Sequence, residues 1–136
     1  MPHAVRIHKT GGPDVLQWDS VDVGAPGPGQ VRLKQHAVGV NYIDIYQRAG
    51  LYKLPLPFVA GSEGAGEVTA VGPGVSDFKV GDRGAYAGAA GGYADERLMP
   101  ADRLVPGEET PAEAAVERRS VVERIVAGSG CPVVAT

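Results

Sequence analysis

The chain has 136 residues, of which 43% are hydrophobic and 21% are charged, so it has room for one globular domain with a moderate core. Its net charge of −3 comes from 13 basic and 16 acidic residues interspersed along the sequence, which argues against a nucleic-acid-binding protein. No apolar run approaches the roughly 20 residues that span a bilayer, and the N-terminal segment lacks the apolar core of a signal peptide. We therefore expect a cytoplasmic protein without nucleic-acid or membrane partners.

Metal and disulfide chemistry have little support in the composition. The single cysteine, Cys131, excludes an internal disulfide bond and a cysteine cage for structural zinc. The histidines His3, His8 and His36 show no metal-ligand spacing, and we expect no metal site. The unusual numbers are 20 glycines and 11 prolines, which predict short strands and many turns rather than a helical bundle.

The N-terminal part of the chain alternates between apolar and polar residues, which predicts β-strands. The segment HAVRIHK is typical of a strand, and VLQWDSVDV of the strand that returns after a turn at TGGPDV. A third strand is predicted at QVRLKQHAVGV, with Val31, Leu33 and Ala37 on one face.

The alternation stops at Asn41, and a helix of two turns is predicted over YIDIYQRA. Asn41 is a favourable N-cap residue, because its side-chain oxygen can accept a hydrogen bond from the first turn. Asp44 adds negative charge at the positive end of the helix, and Gly50 suits the position just after a helix. One side of this helix carries Tyr42, Ile45, Tyr46 and Ala49.

Further short strands are predicted after the helix. GSEGAGEVTAVG is typical of a strand entered through glycines, which permit close approach of two backbones. A turn at VGDRG follows, and the segment GGYADERLMPADRLV closes the β-rich part. About seven or eight short strands around one small helix indicate a partly open barrel or a rolled sheet. We expect this mainly β domain, with short helices, to occupy residues 1–105.

The composition changes from Pro106 onward, and residues 106–136 are expected to form a separate helical segment. The run TPAEAAVERRSVVERIVAG has the start signals of a helix, with Thr110 as N-cap followed by Pro111 and Glu113. Gly128 is placed to end this C-terminal helix.

The sequence does not match the motifs of a dinucleotide-binding loop or a serine hydrolase. The glycines of GSEGAG have the reversed spacing of the dinucleotide fingerprint and lead into a strand, whereas the fingerprint leaves a strand and opens a helix. No serine stands in a G-x-S-x-G motif, which argues against a serine hydrolase. The group that remains is Asn41, Tyr46 and Tyr52. The residues alone leave two interpretations open, a cleft wall for flat aromatic ligands or side chains that are simply packed.

Five segments between Ala4 and Val105 resemble the N-terminal, GroES-like domain of the zinc-free medium-chain dehydrogenase/reductases. They are GGPDVL, GVNYIDIYQRAGLY, GSEGAGEVTAVGPGV, FKVGDR and GGYAD, in the order and spacing of that family. The group that they most resemble is the NADPH:quinone oxidoreductases related to zeta-crystallin. The resemblance implies a GroES-like, partly open barrel and hydride transfer from NADPH to a quinone or enone acceptor.

The resemblance also implies a site that works without zinc. In the zinc-dependent alcohol dehydrogenases of this superfamily a cysteine ligand stands at the place of Asn41, and a histidine ligand at the place of Ser62. An alcohol or aldehyde needs a Lewis acid to stabilise its alkoxide. A quinone does not, because the charge that develops on it is delocalised over a ring that becomes aromatic.

The site residues that the resemblance implies lie around the predicted short helix. By analogy with the family, Asn41, Tyr46 and Tyr52 line the cleft that holds the nicotinamide ring and the acceptor. Tyr42 and Ile43 are further neighbours of the nicotinamide. NADP(H) is thus the implied cofactor, and a homodimer of the complete enzyme is an option that the resemblance leaves open.

The chain also departs from the family. The likeness ends after Ala115, and we expect these 136 residues to lack the Rossmann domain, which carries most of the dinucleotide-binding surface in the family. We therefore expect the chain to be inactive alone. Two alternatives are a non-enzymatic GroES-like binding or oligomerisation module and another zinc-free reductase of enoyl reductase type. Gly84 replaces a residue that is usually β-branched in the family, which predicts a weakened strand.

Overall fold

The computed structural model describes residues 1–107, which form eight β-strands, one α-helix and two short 3-10 turns. The strands are β1 (His3–Ile7), β2 (Leu16–Ser20), β3 (Gln30–Val38), β4 (Phe58–Val59), β5 (Glu63–Val71), β6 (Arg83–Ala87), β7 (Glu96–Pro100) and β8 (Val105–Pro106). The helix α1 (Tyr42–Ala49) follows β3, and the 3-10 turns are Pro13–Val15 and Ala101–Arg103. The helix predicted from Thr110 lies outside the described residues.

The strands belong to two antiparallel sheets. One has three strands in the order β2-β1-β4, and the other has five in the order β7-β3-β5-β6-β8. Over residues 1–107 the two sheets do not close into a continuous barrel. The mainly β prediction, with about eight short strands around one small helix, is confirmed, as is the hairpin of β1 and β2. Within the same range, none of the helical segments has the length and apolar character needed to cross a membrane.

Within the described residues, two clusters of buried apolar side chains lie against the sheets. The larger belongs to the five-stranded sheet and contains Val31, Leu33, Val68, Phe78, Tyr86, Met99 and Leu104. The smaller contains Ile7, Val15 and Ala60, with Phe58 and Tyr93 packed against it. The alternation predicted for β3 is confirmed at Val31 and Leu33, which are fully buried, whereas Ala37 is only half-buried.

The end of β3 is bent by a β-bulge. The pairing of β3 with β5 skips a residue between Gln35 and Ala37, which leaves one residue of β3 without a counterpart. Gly66 lies opposite Gln35, and a Cβ atom at this glycine would lie 2.1 Å from the carbonyl oxygen of Lys34. Only glycine permits this approach, as the sequence predicts for the glycines of β5.

The strand that Gly84 is expected to weaken is β6. Gly84 is paired within β6 to both neighbouring strands. A Cβ atom at Gly84 would lie 2.5 Å from Cγ of Leu104, whose side chain is buried. Leu104 therefore occupies the volume that a β-branched residue at position 84 would need.

The helix α1 begins and ends as the sequence predicts. Asn41 is its N-cap, and Gly50 follows it in the left-handed region with φ of 87°. The carboxylate of Asp44 is buried, and its Oδ2 accepts hydrogen bonds from the backbone N–H of Asn41 at 3.0 Å and from the hydroxyl of Tyr93 at 2.6 Å. Because Tyr93 precedes β7, this carboxylate fixes the first turn of α1 to a distant part of the chain.

The other end of α1 is held by backbone groups near β1. The N–H of Gly11 donates to the carbonyl of Arg48 at 2.9 Å, and the Nε of Arg48 donates to the carbonyl of Gly11 at 3.2 Å. The helix therefore turns its polar side, with Asp44 and Arg48, toward the rest of the domain. Its apolar side, with Tyr42, Ile45 and Tyr46, is exposed.

Replacing Gly66 by alanine should strongly destabilise the domain. The added methyl would collide with the Lys34 carbonyl, a backbone atom that cannot move without distorting β3. We expect Gly66→Ala to lower the free energy of unfolding by roughly 3 kcal/mol, measured by urea denaturation of the 136-residue chain. Gly12→Ala is the matched control, since Gly12 is exposed with φ of −77°, and its change should stay within about 0.5 kcal/mol. Equal stabilities for the two variants would contradict the close approach.

Removing the hydroxyl of Tyr93 should loosen α1. We expect Tyr93→Phe to lower the free energy of unfolding by about 2 kcal/mol, because the buried Asp44 carboxylate loses a charge-assisted hydrogen bond. Hydrogen exchange should show faster opening of the first turn of α1. The control is Tyr52→Phe, since the side chain of Tyr52 is exposed and the same change there should cost less than about 0.5 kcal/mol.

Candidate functional site

Three buried polar side chains meet where β3 passes into α1. Asn41, Asp44 and Glu63 are 7%, 5% and 3% exposed, and they are the only buried polar or charged residues among residues 1–107. Each has one atom without a hydrogen-bond partner: Nδ2 of Asn41, Oδ1 of Asp44 and Oε1 of Glu63. Buried polar atoms are nearly always hydrogen-bonded in proteins, so three such atoms in one group indicate a place where a ligand or proton is expected. We call these three residues the polar cluster.

Glu63 reaches the polar cluster because position 39 has no side chain. Glu63 is the first residue of β5, and its backbone carbonyl accepts a hydrogen bond from the N–H of Gly39 at 3.2 Å. A Cβ atom at Gly39 would lie 1.7 Å from Oε1 of Glu63. The carboxyl group therefore lies directly on the backbone of the segment that leads to Asn41.

The surroundings of Glu63 favour its neutral form. Burial raises the pKa of the Glu63 carboxyl, the nearby amide of Asn41 partly lowers it, and the negative charge of Asp44 raises it again. The net effect is a pKa above the usual value for glutamate. Although the amide of Asn41 is near enough to act on this carboxyl, its Nδ2 makes no well-aligned hydrogen bond to it.

The tyrosines of α1 form an exposed aromatic face. Tyr42, Tyr46 and Tyr52 are 60%, 40% and 53% exposed. The rings of Tyr46 and Tyr52 meet edge to face, with their centroids 5.9 Å apart and an interplanar angle of 67°. Ile43, on the same helix, is half-buried. Within the described residues, none of these three tyrosines is buried in the core. We call these three tyrosines, with Ile45, the aromatic face.

The site residues predicted from sequence thus lie in two different environments, one buried and one exposed. Asn41 belongs to the buried polar cluster, whereas Tyr46 and Tyr52 belong to the aromatic face on the outer side of the same helix. Sequence reasoning missed Glu63 and Tyr93. Among 16 acidic residues Glu63 has no distinguishing spacing, and its only sequence signal is the glycine at position 39, which makes room for it.

Residues 1–107 contain no group of three or more histidine, cysteine, aspartate or glutamate side chains arranged to hold a metal ion. Ser62, at the place of a histidine ligand in zinc-dependent relatives, is half-buried next to Glu63.

The known proteins similar to this chain include a 2-haloacrylate reductase and quinone oxidoreductases. The chain is 50% identical over 111 residues to a 2-haloacrylate reductase from Burkholderia sp., which covers 77% of this chain and 33% of the relative. It is 47% identical over 107 residues to a quinone oxidoreductase from Pseudomonas aeruginosa, again covering 77% and 33%. The chain therefore spans about a third of the length of these relatives.

Solved structures give the same relationship. The quinone oxidoreductase of Escherichia coli complexed with NADPH superposes with a TM-score of 0.76 at 39% identity, covering 78% of this chain and 33% of that one. A 2-haloacrylate reductase superposes with a TM-score of 0.72 at 48% identity, covering 79% and 32%. The family model for the alcohol dehydrogenase GroES-like domain matches residues 27–109, which is more than half of the chain. The resemblance found in the sequence is confirmed, and the chain belongs to the family of alcohol dehydrogenase GroES-like domains.

Proposed function

We propose that this chain supplies the acceptor-facing wall of a zinc-independent, NADPH-dependent oxidoreductase that reduces a quinone or a related electron-poor acceptor. The observation that carries the proposal is the buried, unpartnered Nδ2 of Asn41 at the N-terminal end of a helix whose outer side is aromatic. The similarity to quinone oxidoreductases supports the reaction class.

Asn41 can stabilise the negative charge that forms on the acceptor. Reduction of a carbonyl or a conjugated double bond by hydride leaves negative charge on an oxygen. A fixed N–H donor in a site shielded from water stabilises such charge more than a mobile one, because little reorganisation is needed. Asn41 is fixed by its position as N-cap and by the hydrogen bond of its N–H to Asp44. Its Nδ2 has no competing well-aligned partner among the described residues.

The aromatic face provides a surface for flat rings. Tyr46 and Tyr52 are held by their mutual edge-to-face contact, and the N–H of Tyr52 donates to the carbonyl of Tyr46 at 3.3 Å. Aromatic side chains that are rigid and exposed bind planar ligands through apolar area while their hydroxyl groups remain available for hydrogen bonds. This face suits a quinone ring better than it suits a small aliphatic alcohol.

The residues of this chain fit the nicotinamide end of NADPH, as an amide donor and apolar aromatic surface are both present. In the proposed role Asn41 and Tyr46, with Tyr42 and Ile43 as neighbours, hold the nicotinamide and exclude water. NADPH supplies the hydride when bound, and the accompanying proton comes from solvent. The phosphates would be held by a Rossmann domain of the kind that follows in the family, and the functional boundary is proposed near residue 105.

The acceptor is proposed at the level of class. The relative named for 2-haloacrylate reduction and the relatives named for quinones share an electron-poor, conjugated acceptor. Both acceptors need stabilisation of a developing oxyanion, and a single amide donor with an aromatic surface serves either. A non-enzymatic GroES-like module is the competing proposal, since the exposed aromatic face also suits protein contacts.

A polypeptide of these 136 residues alone should bind NADPH weakly. Isothermal titration calorimetry should show no saturation below about 1 mM, because the described residues contact only the nicotinamide end in the proposed arrangement. A saturable, sub-millimolar binding curve would contradict this division of the cofactor site.

A hybrid enzyme tests the reaction. Residues 1–107 of this chain should replace the matching third of the Pseudomonas aeruginosa quinone oxidoreductase, and the hybrid should oxidise NADPH when a quinone is present. Parallel assays with 2-haloacrylate distinguish the two acceptor classes. A folded hybrid that binds NADPH but reduces neither acceptor would favour the non-enzymatic module.

Asn41→Ala in this hybrid should lower kcat roughly 100-fold, because it removes the donor to the developing oxyanion. Lys53→Gln serves as the control, since Lys53 is exposed shortly after α1 and has no part in the proposed site. An unchanged kcat for Asn41→Ala would remove Asn41 from the mechanism.

A further inference from the structure

The carboxyl group of Glu63 is buried beside Asn41 and has no part in the mechanism proposed above. It is 3% exposed, and the backbone of Glu63 pairs with Ala87 of β6. From α1 it faces Asn41 and Asp44. From β6 it faces Tyr86, whose phenol is near Gly64 and lies under the guanidinium of Arg97 at 4.7 Å. Burial raises the pKa of Tyr86, Arg97 opposes this, and the charge of Glu63 adds to it.

When Glu63 is ionised, the polar cluster has more unpartnered hydrogen-bond acceptors than donor groups. The cluster then has two unpartnered acceptors, Oε1 of Glu63 and Oδ1 of Asp44, and one unpartnered donor group, Nδ2 of Asn41. An ionised carboxylate is the strongest acceptor available to that amide. A proton on Glu63 removes one acceptor and adds one O–H donor. The amide then has no charged competitor on β5 for its N–H groups.

The carboxyl group of Glu63 has little freedom to move away from the Asn41 amide. Its Oε1 lies in the space where Gly39 lacks a side chain, so the carboxyl is enclosed by the backbone that leads to Asn41. The hydrogen bond from the N–H of Gly39 to the carbonyl of Glu63 keeps the two segments together. The fold therefore keeps the carboxyl beside Asn41, and protonation of Glu63 changes how strongly this carboxyl competes for the Asn41 amide.

We propose that Glu63 is a positioning residue, which holds the Asn41 amide to itself when ionised and releases it toward the acceptor oxygen when protonated. This inference rests on the proposed function for the role of Asn41, but the coupling between the two side chains can be measured without any activity. Glu63, which lies outside the aromatic face, would thus control the Nδ2 donor of Asn41. Asp44 supports the released state, because its negative charge opposes ionisation of Glu63.

The direction of the pH effect follows from the same groups. With a pKa above the usual glutamate value of about 4.3, Glu63 stays neutral at pH values where an exposed glutamate is already ionised. As the pH rises through the raised pKa, Glu63 ionises and binds the amide, so the reaction slows. The folded state binds the proton more tightly than the unfolded chain, so the stability that this gives is lost over the same rise in pH.

The coupling should be measured by NMR on the 136-residue chain. The side-chain carbon of Glu63 and the side-chain nitrogen of Asn41 are followed from acidic to mildly alkaline pH. We expect both signals to shift with one shared midpoint above that of an exposed glutamate. Glu63→Gln should abolish the shift of the Asn41 signal, whereas Glu67→Gln, on the same strand but half-buried beside His36, should leave it unchanged. An Asn41 signal that ignores the titration of Glu63 in the unmodified chain would overturn the proposal, even if a variant fails to fold.

The hybrid enzyme then tests the consequence for the reaction. We expect its kcat/KM to fall as the pH rises through the NMR midpoint, and Glu63→Gln to remove this fall while keeping kcat at low pH. A Glu63→Gln hybrid that keeps the original pH profile overturns the positioning role. If the hybrid is inactive but the NMR coupling is present, the proposed function fails while the link between Glu63 and Asn41 stands.

Discussion

The arrangement of the whole site depends on the carboxylate of Asp44. One oxygen of this buried group accepts from the N–H of Asn41 and from the hydroxyl of Tyr93. Tyr93 in turn packs on the smaller apolar cluster. A single charge therefore ties the start of a two-turn helix to the core. A helix of eight residues has little stability of its own in water, so its orientation relies on such tertiary contacts.

The sequence predicts the local elements well, because each depends on neighbouring residues. The alternation in β3, the N-cap at Asn41 and the glycine that ends α1 are all confirmed. The direction in which α1 faces was not predictable, because a helix with a tyrosine-rich side would ordinarily bury that side. Here the buried side is the one with Asp44, and the partner that decides this, Tyr93, is 49 residues away.

The polar cluster was equally hidden from sequence analysis. Glu63 joins Asn41 and Asp44 only through the pairing of β3 with β5, and no spacing along the chain reveals that pairing in advance. The resemblance to a family indicates Asn41 as a site residue, since a metal ligand stands at this position in zinc-dependent relatives. It did not identify the carboxyl beside it. Burial separates the Asn41 donor from the exposed aromatic face, and burial of single side chains depends on the tertiary structure.

The absent side chain at position 39 restricts which substitutions are compatible at position 63. Residues 39 and 63 share one volume, because the carboxyl of Glu63 fills the space that any larger residue than Gly39 would need. Two substitutions that are each damaging can therefore compensate for one another, with a methyl gained just after β3 and a shorter side chain at the start of β5. Among related sequences, loss of the glycine without loss of the glutamate should be rare, and the two positions should carry a shared evolutionary signal.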